Sequence, residues 1–225
     1  MKLQAPDARI FRHDEFGTCR AHLSRAGVRR LAALKRVGTY RFAGAIRPDP
    51  AVEQSPMEGY RVEPAEDGLW RIIASVSAEK LIDLLLDCTS RLSSQVFAVI
   101  EDAWASGGAD FEEYFSVEMD LCVLQSYLFE FGPLVLDDGF LGVSVFDKSV
   151  ADEIRLDVHK NLQILTDEVG RYSPILRRFG LAHLPELRLV SESPHYHCTV
   201  PDRERSLDLF KVWLHAEPDP LVHDE

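Results

Sequence analysis

The chain has 225 residues, 46% of them apolar and 28% charged, and this composition excludes a wholly disordered protein. A chain of this length buries roughly 70–75% of its unfolded surface, so it needs neither disulfides nor a metal in order to fold. The sequence contains no run of about 18 uncharged apolar residues and no apolar signal segment, which argues against a membrane-spanning or exported protein. Its cysteines, Cys19, Cys88, Cys122 and Cys198, are too scattered for a disulfide framework and are expected to be thiols in the cytoplasm.

The net charge of −12 is unevenly distributed, because residues 1–50 carry +7 and the remainder carries −19. Within residues 25–37, Val28, Leu31 and Val37 recur at helical spacing among arginines and lysines, which predicts a basic amphipathic helix. Such a helix is suited to nucleic acid, to an anionic membrane or to the acidic body of its own chain. Its apolar face is too small for firm membrane insertion, and the body repels phosphate. We therefore expect no membrane partner and disfavour nucleic acid.

The next segment, residues 46–68, has four prolines and little periodicity, as a linker does. We expect a basic N-terminal extension (1–50), a linker (51–68), a single α+β domain (69–216) and a disordered tail (217–225). A second hypothesis makes Met57 the true start, with residues 1–56 as translated leader.

A strand–helix–strand unit follows the linker. Residues 69–76 and 94–104 are rich in β-branched and aromatic residues, as strands covered on both faces are. Between them, Leu81, Leu84, Leu85 and Cys88 form one stripe of a helix. A helical crossover of this length predicts that the two strands are parallel neighbours.

Residues 111–131 are expected to form one long helix. Asp110 and Glu113 have the spacing of a capping box, and Gly132 with Pro133 closes the segment.

Residues 140–146 and 153–159 alternate in polarity and predict an antiparallel hairpin. Pairing Phe146 with Glu153 puts the apolar members of both arms on one face, whereas a slip of one residue would bury charges. The opposite, wet face then carries Phe140, Ser144, Phe146, Glu153, Arg155, Asp157 and His159.

The remaining pattern predicts a half-strand at 162–165, a short helix from Ser173 to Gly180, a strand at 186–190 and a helix after Asp202. The resulting fold class is α+β, with one mixed sheet in which a βαβ unit precedes a βαββαβ, ferredoxin-like order, and with helices mainly on one face.

One cluster of potential metal ligands stands out in residues 193–204. His195 and His197 share a face if the segment is extended, and Cys198 follows directly, with Asp202 and Glu204 nearby. Strong zinc signatures add a second ligand pair at fixed spacing, and this sequence has none; His183 or His215 as a fourth ligand would be speculation. Our first expectation is therefore no metal and no cofactor.

A second candidate site combines Asp157 and His159, two residues apart on the wet face. His159 could act as a base oriented by Asp157, with Asp137 or Asp138 binding a cation. Asp157 with His159 is also an ordinary pair of residues on a solvated strand, and Asp137 with Asp138 is also an ordinary pair in a turn. The sequence has no phosphate loop and no nucleophile elbow.

These patterns favour a cytoplasmic protein-binding or regulatory module without catalysis, whose partner is an unidentified protein; self-association stays open. Its expected contact surface is Phe140, Phe146, Arg155, Asp157 and His159. The alternative, from another class, is a small metal-assisted hydrolase that uses His195, His197 and Cys198 together with Asp157 and His159.

Overall fold

The structure is a computed structural model that describes residues 10–14, 17–20, 31, 33–52, 56–104 and 111–218, and its fold is mixed α+β. The strands are β1 (Ile10–Asp14), β2 (Gly17–Arg20), β3 (Arg36–Val37), β4 (Tyr40–Arg41), β5 (Ile46–Pro48), β6 (Gly59–Pro64), β7 (Trp70–Ser75), β8 (Gln95–Asp102), β9 (Glu112–Phe115), β10 (Met119–Asp120), β11 (Leu141–Phe146), β12 (Glu153–Leu156), β13 (Leu162–Thr166), β14 (His195–Cys198) and β15 (Glu217–Pro218). The helices are α1 (Ala78–Thr89), α2 (Leu121–Glu130), α3 (Gly132–Asp137), α4 (Ser173–Arg178) and α5 (Arg203–Leu214).

The larger sheet has the strand order β15-β9-β8-β11-β12-β13-β7-β6, with β10 also paired to β8. Every neighbouring pair is antiparallel. β7 and β8 point in the same direction, but β11, β12 and β13 lie between them, so the prediction that they are neighbours is wrong. Helix α1 crosses over the three inserted strands, and the ferredoxin-like order is not confirmed.

The predicted hairpin register is confirmed by β11 and β12, which pair Phe146 with Glu153 and Ser144 with Arg155. The intervening residues of β11 and β12 are buried on the other face. β12 ends at Leu156, and a turn leads directly into β13, which pairs back onto β12. The segment 162–165 is therefore the core of a separate strand rather than a continuation of the second arm.

The predicted long helix over 111–131 is only half present. Glu112–Phe115 forms β9 at the side of β8, and the helix begins at Leu121. Aromatic and β-branched residues before position 118 favour a strand once an unpaired sheet edge is available.

The main core lies between the large sheet and the helices. Helix α1 contacts α2, α3 and α4, and α5 contacts α2 and α3. Side chains from these helices, including Leu85, Leu124 and Phe210, are fully buried against the same face of the sheet. Among the described residues, no helix is long and apolar enough to cross a bilayer.

A second sheet is built from segments far apart in sequence, with the order β2-β1-β14-β5. Of the expected basic helix, Leu31 and Ala33 are helical and its last two residues, Arg36 and Val37, form β3, while residues 21–30 and 32 lie outside the described residues. Residues 59–64, expected to be linker, form β6 at the edge of the large sheet. Residues 186–190, expected to be a strand, form no strand, because Leu187 and Leu189 pack on Ile73 from a loop. Of the expected tail, Glu217–Pro218 forms β15, and 219–225 lie outside the described residues.

The two sheets meet at one end of the large sheet. β8 ends there, β11 begins there, and the turn from β12 to β13 lies there as well. The backbone of Gly139, just before β11, donates a hydrogen bond to the carbonyl of Cys198 in β14 (2.8 Å). This contact places β14 beside the turn that carries His159.

Candidate metal centre

Strand β14 brings two histidines into the interior on the same face. Alternation along a strand places His195 and His197 on one side and Tyr196 on the other. The strand is central, with β1 on one side and β5 on the other. His195 is 0% exposed and His197 is 3% exposed. Buried imidazoles at this spacing require fixed hydrogen-bond partners.

Main-chain carbonyl groups fix the orientation of both rings. His195 Nδ1 lies 2.7 Å from the oxygen of Ser193, and His197 Nδ1 lies 2.5 Å from the oxygen of Gly139. A carbonyl oxygen can only accept, so each Nδ1 carries the hydrogen and donates it. In a neutral ring this leaves Nε2 with its lone pair, which is the form that binds a metal.

The two Nε2 atoms point at each other across 3.0 Å. Two lone pairs facing at this distance repel, unless a proton or a cation lies between or beside them. Two nitrogens bound to one tetrahedral zinc ion, each at about 2.0–2.1 Å, are separated by about 3.3 Å. The observed separation is close to that of two ligands of a single ion.

A third histidine completes the group from the larger sheet. The ring of His159 lies 5.0 Å from that of His195 and 5.1 Å from that of His197, centroid to centroid. One nitrogen from each of the three rings can be chosen so that all lie within 4.8 Å of one another. His159 is half-buried, whereas its two companions are buried.

The turn that carries His159 is held by Asp157. The carboxylate accepts hydrogen bonds from the backbone of Asn161 (2.8 Å), from its side-chain amide (3.1 Å) and from the amide of Gln163 (2.8 Å). Lys160 adopts a left-handed backbone, with φ of 61°. Residues other than glycine hold that conformation at a cost, which the surrounding contacts must offset. The position of His159 is therefore set by local structure.

Lys160 itself is buried and donates from Nζ to the carbonyl of Leu141 (2.5 Å). Burial lowers its pKa to about 8, although Asp138 and Asp157 oppose this shift. The ammonium group of Lys160 neutralises part of the negative charge of these two carboxylates.

Cys198 lies one residue beyond His197 and projects from the other side of β14. Burial raises the pKa of its thiol to about 11, against the influence of Arg47. A thiol of this kind is protonated at neutral pH. The three-histidine group does not contain it, and Asp202 and Glu204, at the start of α5, are exposed.

The other candidate residues are dispersed. Asp138 is fully buried and accepts from Arg203 Nε (3.1 Å), while Asp137 accepts from the backbone of Gly44 (2.5 Å). His183 is exposed and stacks on Tyr60. His215, exposed at the end of α5, stands outside the group as well.

The expected contact surface is not one continuous patch. Phe140 is 0% exposed and Asp157 is 6% exposed. Phe146 is half-buried and stacks on Phe97, and Arg155 donates to Glu101 (2.7 Å) on the open face of the sheet. His159 belongs to the histidine group at the end of the sheet. The binding role of these residues stays a prediction.

The hydrolase alternative stated from the sequence combines His195, His197 and Cys198 with Asp157 and His159, but it gives His159 the role of a base rather than of a ligand. The structure groups His159 with His195 and His197 and leaves Cys198 out of the group. No signal in one sequence shows that the turn after β12 meets β14, since that contact is made between two sheets.

No protein-family model matches this sequence, and no curated protein or solved structure is significantly similar to it.

Proposed function

We propose that this protein is a metal-dependent hydrolase whose centre binds one divalent transition-metal ion of the zinc type through His159, His195 and His197. This proposal adopts the alternative that the sequence left open and departs from the expectation of a protein without a cofactor. Cys198 is replaced as a ligand by His159, because Cys198 projects from the other side of β14.

The observation that carries the proposal is the pair of Nδ1–H groups donated to the carbonyls of Ser193 and Gly139. Metal-binding histidines usually donate their second nitrogen to a carbonyl or carboxylate in this way, which fixes the tautomer and the ring plane. Here both bonds direct Nε2 toward the same point. The 3.0 Å separation of the two Nε2 atoms suits a shared proton or a shared ion, and the third imidazole, His159, favours the ion.

Three imidazoles favour zinc, copper, nickel or ferrous iron over calcium or magnesium, which prefer oxygen ligands. Within the part of the chain that the structure describes, the group offers three ligands, and three protein ligands are typical of catalytic zinc sites, whereas structural zinc sites use four. The metal would supply an activated water near neutral pH. Hydrolysis would add a water molecule across the substrate: the water oxygen would bond to the carbonyl carbon, the C–O or C–N bond would break, and a proton would pass to the leaving atom.

The first experiment is metal analysis of protein purified without a histidine tag, because a tag would itself bind zinc. We expect one equivalent of zinc per chain after reconstitution and none in His159→Ala. His159 is the best position to change, since it is half-buried in a turn. The matched control is His183→Ala, which removes an exposed histidine stacked on Tyr60 and should keep the metal.

The second experiment tests the reaction. The zinc-loaded chain should hydrolyse activated esters faster than both the chelated chain and His159→Ala at the same pH. Stoichiometric zinc with no difference in rate on ester, amide and phosphoester probes would overturn the hydrolytic assignment and leave a metal-binding protein.

A protein-binding role in the cytoplasm remains a second proposal. It is supported by the half-buried Phe97 and Phe146, which stack with their centroids 5.6 Å apart, and by Arg155 on the same open face. Arg155→Gln combined with Phe146→Ala should abolish binding of a purified partner, and Tm is measured on the same variant because Arg155 pairs with the buried Glu101 (2.7 Å). Unchanged binding would count against this surface.

A further inference from the structure

Three aromatic rings adjoin the histidine group on the His197 side. The ring of Phe140 lies 5.3 Å from that of His197. Phe11 and Trp104 lie 4.9 and 5.1 Å from Phe140, and 5.4 Å from each other, all edge to face. This geometry is the one that aromatic rings prefer when they pack together.

The register of the small sheet independently places Phe11 beside the centre. Phe11 in β1 is directly opposite His197 in β14. Directly opposite residues of antiparallel strands project to the same face, with their Cβ atoms about 4.5–5.5 Å apart. Phe140 is fully buried, but Phe11 and Trp104 are only half-buried. An apolar surface that solvent can reach therefore begins next to a metal-binding residue.

Contacts with Arg203 and Asp102 fix the position of Trp104. The guanidinium of Arg203 lies 5.3 Å from the centre of its ring, and Arg203 is bound to Asp102 (2.6 Å) and Asp138 (3.1 Å). Asp102 also accepts from the backbone of Trp104 (2.9 Å). Because Arg203 is paired with two carboxylates, its charge at this ring is largely neutralised. A rigid aromatic surface of this kind suits an apolar group.

Resting on the proposed metal centre, we infer that Phe11 and Trp104 form the substrate-binding surface of this hydrolase and select substrates with an aromatic or bulky apolar acyl group. The scissile carbonyl would meet the metal while the apolar group packs on the two rings. Such packing contributes to specificity through differential binding of substrates that share one reacting group.

The test uses the cobalt-substituted full chain and two hydroxamates, acetohydroxamate and benzohydroxamate. Both chelate the metal through the hydroxamate group. They differ only in that acetohydroxamate carries a methyl group where benzohydroxamate carries a phenyl ring. We expect benzohydroxamate to bind about tenfold more tightly, as judged by the cobalt absorption spectrum. Phe11→Ala and Trp104→Ala should reduce that preference, the ratio of the two dissociation constants in the same variant, to about twofold or less.

The matched control is Phe129→Ala, which removes an exposed ring from α2 and should keep the full preference. Circular dichroism shows whether each alanine variant folds. If one does not, Phe11→Leu or Trp104→Leu is used in its place. Cobalt binding without a phenyl preference, or a preference that survives both aromatic substitutions, would overturn this inference while leaving the metal centre intact. Failure of the wild-type chain to bind cobalt would overturn the proposed function and this inference with it.

Discussion

Gly139 holds the imidazole of His197 through its main-chain oxygen, at a position where a side chain would not fit. A Cβ atom there would lie 2.6 Å from the carbonyl oxygen of Ala45, which is itself held by the backbone of Cys198. Gly139 also donates its N–H to the carbonyl oxygen of Cys198. Strand β14, which carries His195 and His197, is therefore joined to the start of β11 by hydrogen bonds that require the two backbones to lie close together.

We expect Gly139→Ala to weaken zinc binding by about 10- to 100-fold, the usual effect of disturbing the partner of a metal ligand. Competition against a chromophoric chelator measures this. Gly132→Ala is the control, because a Cβ at Gly132 in α3 would meet no neighbouring atom within 4 Å. Equal zinc affinity in the two variants would show that the carbonyl of Gly139 does not orient His197.

Asp157 is expected to act as a positioning residue for His159. Asp157→Ala leaves the amide groups of Asn161 and Gln163 without their acceptor, and each lost hydrogen bond to a charged group costs about 1.5–3 kcal/mol. Zinc affinity should fall by about 10- to 100-fold. Asp157→Asn keeps one acceptor oxygen and should recover part of the affinity. A purely structural role would lower Tm in both variants without changing zinc affinity in the folded protein.

How far the sequence predicts this molecule depends on the range of the contacts involved. The register of β11 and β12 follows from polar alternation within 20 residues, since any slip would bury Arg155. The insertion of β11, β12 and β13 between β7 and β8 depends on pairing across 39 to 49 residues between β8 and β11 and across 88 to 96 residues between β7 and β13, and a helical crossover alone does not reveal it. The same holds at the site. His195 and His197 share a face by strand geometry, but their meeting with His159 is a tertiary contact.

The ionised carboxylate of Asp147 should stabilise the folded protein, and this contribution should be lost at acid pH. Burial alone would raise its pKa, but hydrogen bonds from Ser149, Ser93 and Val150 outweigh burial and lower the pKa. A carboxyl group whose pKa is lowered by folding stabilises the protein above the pKa of the unfolded chain, about 3.9, and this stability is lost as pH falls through the folded value.

Asp147→Asn should therefore cost about 1–3 kcal/mol at pH 7 and flatten the dependence of the unfolding free energy on pH below about 4. Urea titrations at pH 7 and at pH 2.5–4 measure both effects. The control is Glu118→Gln, which neutralises an exposed carboxylate. If the unfolding free energies of the wild type and of Asp147→Asn change with pH in parallel through this range, the contribution assigned to the lowered pKa of Asp147 is contradicted.

A chain that starts at Met57 should lose the metal centre. β14 lies between β1 and β5, and both come from residues before Met57. Without them, His195 and His197 stand on a strand with no partner in its sheet. Residues 57–225 should retain α+β circular dichroism, since β6 to β13 remain, but should bind zinc about 100-fold more weakly than the full chain. Equal zinc stoichiometry and affinity would show that the small sheet is not needed for the site.

Zinc should join the two sheets and raise the stability of the whole chain. His159 belongs to a turn of the large sheet, whereas His195 and His197 belong to the small one, so an ion bound by all three links them. A ligand that binds only the folded state stabilises it by about 2.7 kcal/mol at 100 times its Kd. For a chain of this size that corresponds to a rise in Tm of roughly 5–11 °C.

Hydrogen exchange locates the effect. Zinc should slow exchange of the amides in β5 and β14 more than in β6, which lies at the far edge of the large sheet. His159→Ala should abolish both the Tm shift and the added protection, while His183→Ala should keep them. Protection spread evenly over all strands, or a Tm shift that persists in His159→Ala, would mean that zinc binds elsewhere on the chain.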